Sequence, residues 1–125
     1  MADLPRLNGV IRALEAGQHA LTCFSPPDVE SAIALATAKY DAVVYEMEHN
    51  AYDIRAFRDC LQYMLNRRQI AQSGSLAPAV TPMVRIPPNG DEKNQWLAKQ
   101  ALDLGVYGVL WPHISTVEIC GHSTP

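Results

Sequence analysis

The chain has 125 residues, of which 48% are hydrophobic, and a formal net charge of -3. This length suits a single domain with one core, and a mildly acidic chain without a basic stripe argues against nucleic-acid binding. No apolar run approaches the roughly 20 residues that cross a bilayer, and the N-terminal segment lacks the layout of a secretory signal. Three widely spaced cysteines form neither a metal motif nor a disulfide framework, so we expect a reduced, cytoplasmic protein.

Helix and strand signals alternate along the first half of the chain. A helix is predicted over residues 5–16, a strand over 19–24 and a second helix over 27–39. Residues 40–46, "YDAVVYE", are nearly continuously apolar, which is typical of a parallel strand that is buried on both faces.

The second half of the chain repeats this alternation. Asp53 is a good N-cap for a helix that reaches residue 68, where Arg67 and Arg68 would favour a helix C-terminus. The remaining predictions are a loop over 69–78, a strand over 79–87, a helix over 89–105 and a strand over 106–112. Strands that alternate with amphipathic helices indicate an α/β fold with a parallel sheet.

Two layouts of that sheet are open at this point. A barrel-type arrangement predicts four parallel strands in the order 1-2-3-4 with flanking helices, whereas a flavodoxin-like arrangement predicts an open sheet with its strands out of sequence order. No glycine-rich phosphate loop follows a predicted strand, so nucleotide binding has little support.

Polar side chains follow the predicted strands at their carboxyl ends. The second strand ends in Glu46, Glu48 and His49, and the third ends in Arg85. Functional groups of parallel α/β folds gather at this end of the sheet. A carboxylate beside an imidazole suits acid–base work, and a guanidinium fork suits a substrate carboxylate. Taken alone, each of these residues more often belongs to a solvated loop or a surface ion pair than to a functional site.

The other histidines carry less of an argument. His113 follows Trp111 and Pro112 after the fourth strand and is interpreted as structural, as is His19 at the opening of the first strand. His122 lies in a polar tail. Trp96 is expected to pack in the core or between helix and sheet.

These segments together resemble the HpcH/HpaI aldolase family. The resemblance rests on "YDAVVYEMEH", "PMVRIP" and "AKQALDLGVYGVLWPHISTVE", and it runs from about residue 5 to residue 118. It implies a lyase on a (β/α)8 TIM barrel, a metal-dependent aldolase or decarboxylase that acts on a 2-oxo acid such as pyruvate or oxaloacetate through an enolate. Residues 1–118 would form the N-terminal half of such a barrel, and residues 119–125 a divergent tail.

The resemblance also implies roles for the residues at the strand ends. His49 matches the acid/base histidine of the family, and Glu46 matches the acidic residue that partners this histidine. Arg85 matches the arginine that binds the carboxylate and oxygen of the 2-oxo acid, and Glu48 has a supporting role.

A divalent metal such as Mg²⁺ is expected for full-length members, whose two carboxylate ligands lie on later strands without counterparts here. A full barrel has about 250 residues. The chain is therefore expected to be an N-terminal part of such an enzyme. The alternative is a catalytically inactive fragment, or a remnant that binds a 2-oxo acid or oligomerises. Expected partners are a small 2-oxo acid and other copies of the chain in a homo-oligomer, with no nucleic acid and no membrane.

Overall fold

The computed structural model describes residues 5–88 and 94–116. Four strands alternate with five helices over these residues. The strands are β1 (Thr22–Ser25), β2 (Ala42–Glu46), β3 (Thr81–Arg85) and β4 (Val109–Leu110). The helices are α1 (Gly9–Glu15), α2 (Val29–Leu35), α3 (Ile54–Met64), α4 (Arg67–Ser73) and α5 (Gln95–Asp103).

The four strands form one parallel sheet in the order β1-β2-β3-β4. This order confirms the barrel-type layout and excludes the flavodoxin-like alternative. The register pairs Val44 with Phe24 on one side and with Met83 on the other. Because paired residues of neighbouring strands point to the same face, these three side chains share one side of the sheet.

The opposite face of the sheet carries the hydrophobic core. Val43 and Tyr45 of β2 and Val84 of β3 alternate with the residues above and are buried against the helices. The ring of Tyr45 meets Phe57 of α3 edge-on, at a centroid distance of 5.5 Å. The apolar residues of β2 therefore point alternately toward the helices on one face and toward the side that carries Phe24 and Met83 on the other.

Helix α1 is attached to the amino end of the sheet. Asn8 caps the helix by accepting from the N–H of Val10 and Ile11, while its side-chain amide donates to the carbonyl of Tyr107. The N–H of Gly9 donates to the hydroxyl of Thr81, at the first position of β3. Helix α1 thus lies at the end of the sheet that is away from the polar strand tips.

The segment after α3 differs from its prediction. Residues 69–78 were expected to be a loop, but α4 begins after Asn66, whose side chain accepts from the N–H of Gln69. It ends at Gly74, which has a φ of 68° and so supplies the left-handed conformation that closes a helix. Arg67 and Arg68 are consequently in the first turn of α4 rather than at the C-terminus of α3, and that prediction was wrong.

Other differences concern the ends of elements and one side chain. Asp53 is the N-cap of α3 as predicted, but β4 is far shorter than the predicted strand over 106–112. Trp96 was expected in the core and is instead 53% exposed, with its ring edge-on to Tyr52. His122 and the predicted tail at 119–125 lie outside the described residues. Over the ranges 5–88 and 94–116, no helix is both long and apolar enough to cross a membrane.

Candidate functional site

The predicted site residues of β2 and β3 meet at the carboxyl end of the sheet. Glu46 and Arg85 are register partners at the last positions of their strands. Their side chains form an ion pair and hydrogen bond from Arg85 Nη2 to Glu46 Oε2. The backbone N–H of Met47 donates to the carbonyl of Arg85 and continues the ladder by one residue. Two adjacent strands thus bring both groups to the rim of the sheet.

Glu46 also shapes the turn that follows β2. Its Oε1 accepts from the backbone N–H of Glu48 at 2.7 Å and from that of His49 at 3.2 Å, and its carbonyl accepts from the side chain of Asn50. The carboxylate therefore holds the loop in which His49 lies. Its contact with His49 is to the backbone, not to the imidazole.

The charge states of the ion pair follow from these contacts. Burial raises the pKa of Glu46, but the hydrogen bonds from Arg85 and from the two backbone N–H groups outweigh burial, so the net pKa is lowered. The pKa of Arg85 is raised, chiefly by its hydrogen bond to Glu46. Both groups are therefore charged at neutral pH.

Glu48 is the second carboxylate at the rim, and its side chain is only 4% exposed. Its Oε2 lies 3.0 Å from Arg85 Nε, an ion pair that lacks hydrogen-bond geometry, and 3.5 Å from His49 Nε2. Its Oε1 lies 2.8 Å from His113 Nε2. One buried carboxylate thus contacts a guanidinium and two imidazoles.

These groups surround a cleft of about 420 Å³. One part of the lining is charged or titratable and the other is largely apolar. The guanidinium of Arg85 also lies 4.6 Å from the ring centroid of Phe24, a cation–π distance. The residues that line the cleft are Phe24, Glu48, His49, Arg85, Leu110, Trp111, Pro112 and His113.

The structure brings the four predicted site residues together but changes one of their expected contacts. His49, Glu46, Arg85 and Glu48 lie at one rim, as adjacent parallel strands require. Glu46 was expected to partner the imidazole of His49, and that contact is made by Glu48 instead. The reason is geometric, because the carboxylate of Glu46 is held by Arg85 and by backbone N–H groups.

Two residues that contact the charged groups of the cleft were not expected in the site. His113 was interpreted as structural, yet its imidazole is in the cleft and 73% exposed. Its position after the fourth strand was the available signal, since the carboxyl ends of all parallel strands share one rim. Phe24 sits one residue before the end of β1, and nothing in its sequence context distinguished it from a core residue.

The implied metal does not fit the residues that the structure describes. Among residues 5–88 and 94–116, no group of three or more His, Cys, Asp or Glu side chains could hold a metal ion. Glu46 and Glu48 are directed at Arg85, whose positive charge opposes a cation between them.

The chain has relatives among aldolases. It is 29% identical over 113 residues to the hydroxypyruvate/pyruvate aldolase of Roseobacter denitrificans, which is 90% of this chain and 38% of that protein. No protein-family model matches the chain. The chain thus spans about two fifths of the length of this relative.

Solved structures show the same fold. A HpcH/HpaI aldolase/citrate lyase family protein from Burkholderia cenocepacia matches with a TM-score of 0.68 and 29% identity, over 92% of this chain and 40% of that one. Macrophomate synthase matches with a TM-score of 0.65 over 91% of this chain and 35% of that one. The citrate synthase SbnG matches with a TM-score of 0.62 over 89% and 40%. These last two are 22% identical and show the fold alone.

The strands of this chain have the parallel, sequential order of a (β/α)8 barrel, and the matches in sequence and structure cover nearly all of it. The resemblance to the HpcH/HpaI aldolase/citrate lyase family of lyases, predicted from the strand-tip motifs, is thereby confirmed.

Proposed function

We propose that the chain carries part of a carbon–carbon lyase site that binds a 2-oxo acid, pyruvate or oxaloacetate, at the rim formed by β2 and β3. The observation that supports this most directly is the convergence of Arg85, His49 and Glu48 in one cleft above two adjacent strands. The Roseobacter denitrificans relative is a hydroxypyruvate/pyruvate aldolase, which is consistent with such a substrate.

Arg85 is the proposed carboxylate-binding group. Glu46, Glu48 and the ring of Phe24 hold its guanidinium from three sides, which fixes its orientation before any ligand arrives. Arginine has five N–H donors. Within the described ranges no hydrogen bond of Arg85 Nη1 is found, and the side chain lines the cleft. A rigid fork with free donors is suited to the two oxygens of a substrate carboxylate.

The chemistry that fits this arrangement passes through an enolate. In the decarboxylation of oxaloacetate, the bond between C3 and C4 breaks, carbon dioxide leaves, and the electron pair moves onto the ketone oxygen. A protonated imidazole then gives its proton to C3 and forms pyruvate. Arg85 stabilises the negative charge of the enolate, and His49 is the predicted proton donor.

The charge balance of the cleft supports proton transfer by imidazole. Glu46 and Glu48 place two negative charges against the single positive charge of Arg85. An anionic acid therefore binds more favourably when an imidazole of the cleft is protonated. The same imidazolium is the acid that the enolate needs.

A second candidate function is binding of a 2-oxo acid without turnover. The described residues do not form a metal site, and the matched proteins are much longer than this chain. The activity, substrates and partners of a whole enzyme are therefore part of the proposal. A metal, if the full family chemistry requires one, would need ligands beyond those described.

Substitution of Arg85 tests the proposal. Calorimetry with pyruvate and with oxaloacetate, and the rate of oxaloacetate decarboxylation with and without Mg²⁺, would be measured for the chain and for Arg85→Lys and Arg85→Ala. We expect binding to weaken about tenfold or more in both variants, because lysine keeps the charge but lacks the fork. Binding without decarboxylation would favour the second function.

The matched control is Arg58→Ala. Arg58 is an exposed arginine of α3 that pairs with its neighbour Asp59, away from the cleft. We expect this variant to bind and react as the unaltered chain does. An Arg85→Lys variant that binds pyruvate and oxaloacetate as tightly as the unaltered chain does would contradict the proposal. So would an unaltered chain that binds neither acid.

A further inference from the structure

His113 has an unusual backbone conformation. Its φ is 56°, and it is the only non-glycine residue with a positive φ among those the structure describes. This left-handed region is costly for most side chains, although histidine, asparagine and aspartate enter it more readily than others. His113 follows Trp111 and Pro112 just after the end of β4, and its side chain lines the cleft.

The imidazole of His113 is oriented by Glu48. Nε2 lies 2.8 Å from Glu48 Oε1, a close ion-pair contact. An ionised carboxylate can only accept a hydrogen bond, so this contact favours the neutral tautomer that carries its hydrogen on Nε2 and its lone pair on Nδ1. A carboxylate that fixes the tautomer of an imidazole in this way makes the other nitrogen a defined proton acceptor.

His49 has a weaker link to the same carboxylate. Its Nε2 lies 3.5 Å from Glu48 Oε2, beyond the usual length of a charge-assisted bond, and its backbone N–H is held by Glu46. Both imidazoles are largely exposed, 69% for His49 and 73% for His113. By geometry, the carboxylate-oriented imidazole of this cleft is His113.

We propose that His113, oriented by Glu48, is a second proton-transfer residue of the cleft and acts on the carbon next to the ketone of a bound 2-oxo acid. This inference rests on the proposed function. In the simplest reaction, Nδ1 of His113 takes a proton from C3 of pyruvate. The C3–H bond breaks, its electron pair forms the enolate, and the imidazolium returns a proton to C3. Nothing else is consumed or released.

The exchange of the methyl protons of pyruvate for deuterium tests this step. Proton NMR in D₂O would follow the exchange for the chain and for His113→Asn, with and without Mg²⁺. Asparagine tolerates the left-handed backbone, so the loop keeps its shape while the base is removed. We expect the exchange rate to fall at least about tenfold, since a positioned base is commonly worth about 10² to 10⁴ in rate. Pyruvate affinity is expected to change less than about threefold.

Two further variants define the result. His19→Asn replaces an exposed histidine outside the cleft and is expected to leave the exchange rate unchanged. Glu48→Gln is expected to slow the exchange while His113 is still present, because the glutamine no longer selects one tautomer. A His113→Asn variant that exchanges within about twofold of the unaltered chain would overturn the proposal. The proposal would also be overturned if the unaltered chain binds pyruvate but the methyl protons of pyruvate exchange no faster with it than in buffer alone.

The tautomer of His113 gives a readout that does not depend on turnover. Long-range ¹H–¹⁵N correlation spectra of the ligand-free chain are expected to show His113 as the Nε2–H form, and the Glu48→Gln variant as a mixture of forms. An Nδ1–H form in the unaltered chain would overturn the proposal even if pyruvate binds. If instead pyruvate does not bind while the Nε2–H form is found, the proposed function fails and the Glu48–His113 pair stands only as geometry, without its catalytic role.

Discussion

Glu46 and Glu48 are separated by one residue and have different tasks. Glu46 ends a strand and is held by Arg85 and by two backbone N–H groups, so it positions the loop and the guanidinium. Glu48 lies two residues further along the chain and contacts Arg85, His49 and His113. Glu48 was expected to have only a supporting role, but it makes the contact with the imidazole of His49 that was expected of Glu46.

The lowered pKa of Glu46 leads to a prediction about acid stability. A carboxyl with a folded-state pKa below its ordinary value of 4.5 contributes stability that is present above that value and lost as the pH falls through the folded pKa. We expect Glu46→Gln to be less stable than the unaltered chain at pH 7. The difference in melting temperature should shrink as the pH falls below about 4.5, because protonated Glu46 no longer pairs with Arg85.

The control for this measurement is Glu15→Gln. Glu15 pairs with Arg6 at the protein surface, where both side chains are more than half exposed. Exposed pairs contribute little, so this variant should melt like the unaltered chain between pH 3 and pH 7. A Glu46→Gln variant whose melting temperature differs from the unaltered chain by the same amount at every pH would disprove the assignment.

At the scale of single elements, α1 depends on close contact with the sheet. A Cβ at Gly9 would lie 2.5 Å from the carbonyl oxygen of Asp41 and 3.0 Å from the hydroxyl of Thr81. The nearest atom belongs to the backbone of the segment that leads into β2, so it cannot move without moving the strand. Glycine is therefore required here for the approach of helix to sheet, not for its backbone freedom.

We predict that Gly9→Ala lowers the free energy of unfolding by about 1–3 kcal/mol, the usual range for an overpacked site. Gly108→Ala is the matched comparison, because its Cβ would meet the flexible end of Met83 at 2.7 Å. Met83 can change rotamer, so the second variant should lose less stability. Urea unfolding of both variants measures the difference. Equal losses would show that α1 shifts freely on the sheet.

At the scale of the whole molecule, β1 and β4 are the edge strands of the described sheet. Within residues 5–88 and 94–116, β1 pairs only with β2, and β4 pairs only with β3. Leu21 and Phe24 beside the β1 side are 60% and 56% exposed. Unpaired strand edges with apolar side chains favour association with another chain. The expected homo-oligomer therefore stays a prediction with a physical basis.

Light scattering over a range of protein concentrations tests this prediction. We expect the average mass to rise above that of one chain as the concentration increases. Leu21→Lys places a charge beside the β1 edge and should shift the rise to higher concentration, whereas Leu102→Lys, on the exposed side of α5, should not. A constant monomer mass throughout would exclude self-association through these edges.

The sequence by itself determined the order of the strands and the residues at the strand tips. Alternating periodicities predicted parallel strands, and the tip residues Glu46, His49 and Arg85 follow from the rule that such strands end at one rim. The resemblance to the HpcH/HpaI family rests on the same local motifs. These predictions depend only on residues that are close together in the sequence, so they could be made without the structure.

Only the tertiary structure decided which of these side chains meet. The contact of Glu48 with His113 joins the end of β2 to the loop after β4, and the choice between Glu46 and Glu48 depends on the register of β2 against β3. Contacts of this kind depend on distances between atoms far apart in sequence and on side-chain directions. No local periodicity encodes them, because the same strand pattern allows either carboxylate to face the imidazole.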